Sequence, residues 1–249
     1  INEYMERDFV VPKDFEDYLY VSQLLQARGM KTAIEAHRRA KPYCMGTLYW
    51  QFNDCWPVTS WSSLDYYGNW KAFHYQAKRS FENLLLSVNE ENEIYKVFLV
   101  NDNFESYSVR LELELLSFDG KSLWENSKEV TVKENTSINV YEIPKDEFEK
   151  FDLKSSVLKV NWEEVKINYF FAKPKDLKLQ KPNIEIKIIN DFMIEISSDV
   201  LAKDVFLSSE NEVFFEDNYF DLLPNDKRII KLSKAAKEIK VKSLFDTIK

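Results

Sequence analysis

Between about Asp14 and Ala40 the apolar positions Phe15, Tyr18, Leu19, Leu24, Leu25, Ala33 and Ile34 recur at helical spacing, with polar residues between them. Pro12 precedes the run, Asp14 can cap it and Pro42 closes it, so the pattern predicts one long amphipathic helix. The run Cys44–Phe52 (CMGTLYWQF) is continuously apolar instead, as in a strand buried on both faces. A loop, NDCWPVTSW, follows, and Lys71 to Leu86 reads as a second helix. Helix, buried strand, loop and helix together describe one step of an α/β protein.

Beyond about Ser87 the period falls to two. Val109, Leu111, Leu113 and Leu115 alternate with Arg110, Glu112 and Glu114, which predicts a strand with one wet face. Phe118 to Lys121 (FDGK) carries a hairpin signal. Further strands are expected around 128–132, 137–143, 157–162 and 166–171, giving a β-sandwich over 87–175. The polar stretch Lys173 to Pro182 reads as a linker. A hairpin turning at Asn190-Asp191 then opens a smaller β domain over 176–249.

Composition narrows the chemistry. The chain has 249 residues and a formal net charge of −8, which makes nucleic-acid backbones poor partners. No apolar run is long enough to suggest a membrane span. Four scattered glycines assemble no phosphate-binding fingerprint, and two histidines with two cysteines leave little for a metal site. Cys44 and Cys55 are expected as buried thiols, and no cofactor is implied. The sequence opens mid-pattern without Met and reads as a fragment, so no localisation signal is in view. Periplasm, secretion and lysosome stay open for a parent protein.

One segment stands apart. From Tyr49 to Tyr75 ten of 27 residues are aromatic, and four of the six tryptophans lie there. Large rings usually fill cores, and Trp61, Trp70, Phe73 and Tyr75 are read that way. Trp50 lies at the exit of the apolar run, where an indole face can meet the apolar side of a sugar ring. Asn53 and Asp54, beside it, either contact such a ligand or bond nearby backbone to order the loop.

The string GTLYWQFNDCWPVTSWSSLDYYGNWKAFHYQAKRSF, with SQLLQARGMKTAIEAHRRA before it, resembles the end of the catalytic barrel of β-mannosidases in glycoside hydrolase family 2. EDNYFDLLPND resembles the last β domain of the same enzymes. The resemblance implies that 1–86 supplies the eighth strand and last helices of a (β/α)8 barrel, followed by two immunoglobulin-like sandwiches. It implies a terminal β-D-mannoside as substrate, with Trp50 under the sugar and Asn53 and Asp54 next to it. It also implies two catalytic glutamates, and nothing in INEYMERDFVVPKDFEDY matches the motifs around either. Glu3, Glu6, Asp8 and Glu16 are therefore read as surface charges, and Glu35, His37 and Arg38 as structural. A related exo-β-glucosaminidase or endo-β-mannosidase, or a non-catalytic carbohydrate-binding or bracing sandwich, is the rival reading.

Overall fold

A computed structural model describes residues 1–163 and 165–248. Helix α1 spans Asn2–Asp8 and α2 spans Phe15–Arg39. The Asp14 carboxylate accepts from the Glu16 and Asp17 amides, so α2 starts where its cap sits. Glu16 and Asp17 in its first turn and His37, Arg38 and Arg39 in its last complement the helix dipole. One face buries Tyr20, Val21, Leu24, Ala27 and Ile34. Helix α3, Ala72–Ser80, packs on that layer through Phe73 and Tyr75.

The second helix is shorter than its apolar pattern suggests. Leu84-Leu85-Leu86 opens strand β1 (Leu84–Glu91), which pairs antiparallel with β2 (Ile94–Asn101) around Asn92 and Glu93, both at positive φ. A short apolar run fits helix or strand equally, and the tight turn beyond it decides.

The expected buried strand at 44–52 does not form. No strand lies beside it among the described residues, so most of its backbone has no ladder to join. Leu48 is fully exposed and Trp50 is 76% exposed, with Met45 and Phe52 also outward. Cys44 is half-buried and Cys55 exposed, against the expectation of two buried thiols, because no element covers the loop that carries Cys55. Trp61 is likewise exposed, not packed in a core.

The middle sandwich faces the sheet β1-β2-β5, with β5 at Thr136–Pro144, against a four-stranded sheet. That sheet runs β4-β3-β6-β7, from β3 (Tyr107–Ser117), β4 (Ser122–Val132), β6 (Ser156–Trp162) and β7 (Val165–Phe170). Leu111, Leu113 and Leu115 point inward as their alternation requires, against Val97, Leu99 and Trp162. The last sandwich pairs β12-β9-β8 with β11-β10-β13, from β8 (Ile184–Asn190), β9 (Met193–Ser198), β10 (Ala202–Ser209), β11 (Phe220–Leu222), β12 (Lys227–Lys231) and β13 (Ile239–Lys242). Ile194, Ile196, Val205, Leu207 and Ile230 fill it.

The stretch between the sandwiches is fastened down. Leu177 is buried with Leu116, Phe118, Val157, Leu201 and Leu223, and the Lys178 amide donates to the Lys154 carbonyl at 2.9 Å. The β3–β4 turn leans on this junction. Gly120 has φ +88°, and an added Cβ would stand 2.9 Å from Pro224 Cγ. Gly120→Ala should therefore destabilise the fold by about 1–2 kcal/mol, from left-handed backbone cost and crowding together. Urea unfolding with an unchanged midpoint would contradict that.

The helical layer is bolted to both sandwiches. Arg38 donates to the Ser80 carbonyl at 2.6 Å and to Asp102 at 3.0 Å, and Arg39 reaches Ser87 Oγ at 2.6 Å. Glu35 accepts from Ser87 Oγ at 2.7 Å, which makes it a structural acid, as expected. On the other side Tyr75 donates to the Phe215 carbonyl at 3.0 Å, Arg79 reaches Asp217 at 2.7 Å, and Lys242 reaches Asp17 at 2.7 Å. Tyr219 and Leu244 sit within the core of the helices.

Candidate functional site

The segment after the unpaired run folds back on itself. The carbonyls of Gln51 and Phe52 accept from the amides of Ser63 (3.0 Å) and Leu64 (2.9 Å), and the Asp54 amide donates to the Leu64 carbonyl at 3.3 Å. The Lys71 amide then binds the Ser63 carbonyl at 3.0 Å, joining this base to α3. Gln26 of α2 donates to the Trp61 carbonyl at 2.7 Å, a second tether. The peptide between Trp50 and Gln51 is cis.

Three candidate residues lie together here in different environments. Trp50 presents its indole outward, 76% exposed, with no aromatic neighbour in stacking range among the described residues. Asn53 is exposed and its amide donates to the Asp54 carbonyl at 3.2 Å. Asp54 is 5% exposed. Its Oδ1 accepts from Ser60 Oγ at 2.6 Å, and its Oδ2 from Ser62 Oγ at 2.6 Å and Lys71 Nζ at 3.3 Å. Hydrogen bonds from Ser60 and Ser62, then the Lys71 ammonium, hold its carboxyl below the usual range. The carboxylate and its bonds are thus complete at neutral pH and are lost only as pH falls through that depressed value.

Beneath the loop a second polar chain runs through the rings. His74 Nδ1 lies 2.9 Å from Ser63 Oγ, which also lies 3.1 Å from the Tyr49 hydroxyl and 2.8 Å from the Phe52 carbonyl. Trp70 and Phe52 meet the imidazole edge-on. Burial pushes His74 below its ordinary value, so it is neutral at pH 7. Ser60, Ser62, Ser63 and Lys71 were not singled out from the sequence. Small hydroxyls in a loop and a lysine at a helix start carry no periodicity, and the signal that could have found the serines is their density between Trp56 and Trp70.

The segment 46–75 carries one further acid besides Asp54. Asp65 accepts from the Asn69 amide (2.8 Å) and side chain (2.9 Å), closing a tight turn. Glu3, Glu6 and Glu16 are exposed, and Asp8 pairs with Arg28 and Lys173 at 3.5 Å each. Among the described residues no three His, Cys, Asp or Glu side chains gather so as to hold a metal ion. What the site offers is a flat apolar face on a rigid polar base, suited to orienting a ring that has both apolar and hydroxyl-bearing faces.

Known proteins share this fold. Residues 93–176 match a mannosidase Ig/CBM-like domain, and residues 179–247 match an Ig-fold domain of the mannosidase type. The β-mannosidase of Capra hircus is 32% identical over 216 residues, covering 78% of this chain and 25% of that protein. β-Mannosidase B of Thermothelomyces thermophilus is 28% identical, covering 94% of this chain and 32% of the relative. The crystal structure of a β-D-mannosidase from Dictyoglomus thermophilum superposes with TM-score 0.85 at 30% identity, over 97% of this chain and 31% of that one. An exo-chitosanase from Amycolatopsis orientalis shares the fold, with TM-score 0.75 at 14% identity.

The tandem sandwiches are Ig-like domains of the mannosidase type. The chain belongs to the β-mannosidases of glycoside hydrolase family 2. It spans between a quarter and a third of the length of the three β-mannosidases just described.

Proposed function

We propose that this chain is the C-terminal part of a retaining β-mannosidase that releases terminal β-D-mannose from the non-reducing ends of oligosaccharides. Residues 1–86 are its contribution to a (β/α)8 barrel, with 44–52 as the eighth strand, and 87–175 and 176–249 are two bracing sandwiches. The observation that carries the reading is Trp50. An apolar run finds no ladder in this chain, yet it ends in an exposed indole on a firmly bonded loop. In such barrels substrate sites form at the carboxyl ends of the strands. Trp50 would lie against the C–H face of the mannose whose bond is cut, with Asn53 and Asp54 beside it.

In a retaining mechanism one carboxylate attacks the anomeric carbon while a second protonates the leaving oxygen and then activates water. Both would come from outside 1–249. The residues here would orient the ring and exclude water from one side of it.

Hydrolysis of a panel of aryl β-glycosides by a longer chain containing this sequence tests the class. Preference for mannoside is expected, and preference for glucosaminide would move the enzyme to the exo-glucosaminidases. In that longer chain Trp50→Ala should lower kcat/KM at least ~10-fold, equivalent to about 1.4 kcal/mol of lost transition-state contact. The melting temperature should barely move, because the indole is 76% exposed. A collapsed melt with normal specific activity would instead assign Trp50 to packing.

A further inference from the structure

We propose that Lys71, with Ser60 and Ser62, forms a positioning set that holds the backbone bearing Trp50 in its sugar-facing attitude, acting through the carboxylate of Asp54. The inference rests on the reading of Trp50 as a ring-contacting residue. It adds residues that the sequence did not mark, and it turns Asp54 inward.

Both Asp54 oxygens are engaged. Ser60 Oγ binds Oδ1, while Ser62 Oγ and Lys71 Nζ bind Oδ2. Lys71 Nζ also donates to Ser62 Oγ at 2.7 Å, so ammonium, hydroxyl and carboxylate form a closed triangle. At 5% exposure, little of Asp54 is left for a ligand, and its charge is directed into the loop. An ammonium beside a nearly buried carboxylate keeps that carboxylate ionised, and an ionised carboxylate holds hydroxyl donors more strongly.

The triangle connects to Trp50 through backbone. Lys71 grips the return strand twice, by its amide on the Ser63 carbonyl at 3.0 Å and by its Nζ on Ser62. Ser63 and Leu64 in turn hold the carbonyls of Gln51 and Phe52, the two residues that follow Trp50. Gln51 Nε2 closes the circuit onto the Asn53 carbonyl at 3.0 Å. The exposed indole has little packing of its own, so its direction is inherited from this base. A misplacement of about 1 Å can cost two orders of magnitude in rate. Lys71 therefore bears on catalysis without touching the sugar.

The test is a double-mutant cycle in the longer chain with an aryl β-mannoside. Lys71→Met should lower kcat/KM about 10-fold, chiefly in kcat, and Lys71→Arg should restore it to within about threefold. In the Trp50→Ala background, Lys71→Met should change kcat/KM less than twofold, because the residue it positions is already gone. Equal losses in both backgrounds would overturn the proposal, as would normal kinetics for Lys71→Met. Should Lys71→Met fail to fold, Ser62→Ala runs the same cycle with the charges retained. A readout free of turnover separates this claim from the substrate reading. In the 249-residue chain, amide exchange at Asp54, Ser63 and Leu64 should accelerate about 10-fold in Lys71→Met. Unchanged exchange would refute the set whatever the substrate. Accelerated exchange beside an inert β-mannoside would leave the loop lock standing and refute its coupling to mannose.

Discussion

Residues 1–249, purified alone, are expected to hydrolyse no aryl β-glycoside. A retaining glycosidase needs two carboxyl groups about 5–5.5 Å apart on either side of the scissile bond. In the segment 46–75, which carries Trp50, the acids are Asp54 and Asp65. The first is sealed under Ser60, Ser62 and Lys71, and the second is occupied with Asn69. General acid–base work alone contributes about 10²–10⁴-fold, and loss of the covalent nucleophile adds to that. The expected rate therefore lies at least about 10⁴-fold below that of a complete β-mannosidase. Discontinuous assay of the purified chain against p-nitrophenyl β-mannoside measures it. Turnover that follows the chain through successive columns, at anything near a complete enzyme's rate, would sink the prediction.

Trp162→Ala is expected to be the most damaging single substitution in the middle sandwich. The indole is fully buried between the two sheets, edge-on to Tyr107 at 5.9 Å between centroids. Removing so large a ring from a closed core costs about 3–5 kcal/mol, since neighbours collapse only partly into the space. For a chain of this size that corresponds to a fall of about 6–20 °C in melting temperature. Trp162→Phe is expected to be far milder. The Trp162 Nε1–H has no hydrogen-bond partner among the described residues, so phenylalanine keeps one of the two fused rings, opens a smaller space than alanine and discards an unsatisfied donor. Its cost should stay below about 1.5 kcal/mol. Equal losses for both variants would contradict this reading of the indole.

Much of the scaffold was written in short-range pattern. Helix α2 was legible because the Asp14 cap, the spacing of its apolar residues and its charged ends agree with one another. The sandwich strands were legible because alternation along Val109 to Leu115 maps directly onto in and out. Two departures of this chain from its pattern share one cause. The run at 44–52 and the triplet Leu84-Leu85-Leu86 are both apolar without period, and apolarity alone specifies burial, not partner or element. The first found no ladder in this chain, and the second was captured by the turn at Asn92-Glu93. The aromatic site was visible as density of tryptophan around Asn53 and Asp54. Its supports were not, because Ser60, Ser62 and Lys71 converge on Asp54 only after the loop has closed.

The contacts that finish the helical layer impose an order on synthesis. Tyr20 donates to the Asp204 carbonyl, Asp17 receives Lys242, and Leu244 fills the core around Met5 and Phe9. A ribosome adds about 5–20 residues per second, so roughly 10–45 s separate the emergence of α2 from that of its last partners. Through that interval α1 and α3 can already pack on α2, but Tyr20 lacks the rings of Phe206 and Tyr219 that complete its surroundings. The helical layer is thus finished last, by residues of the final sandwich, and a chain ending before Asp204 would lack the carbonyl that receives Tyr20 and the ammonium that donates to Asp17.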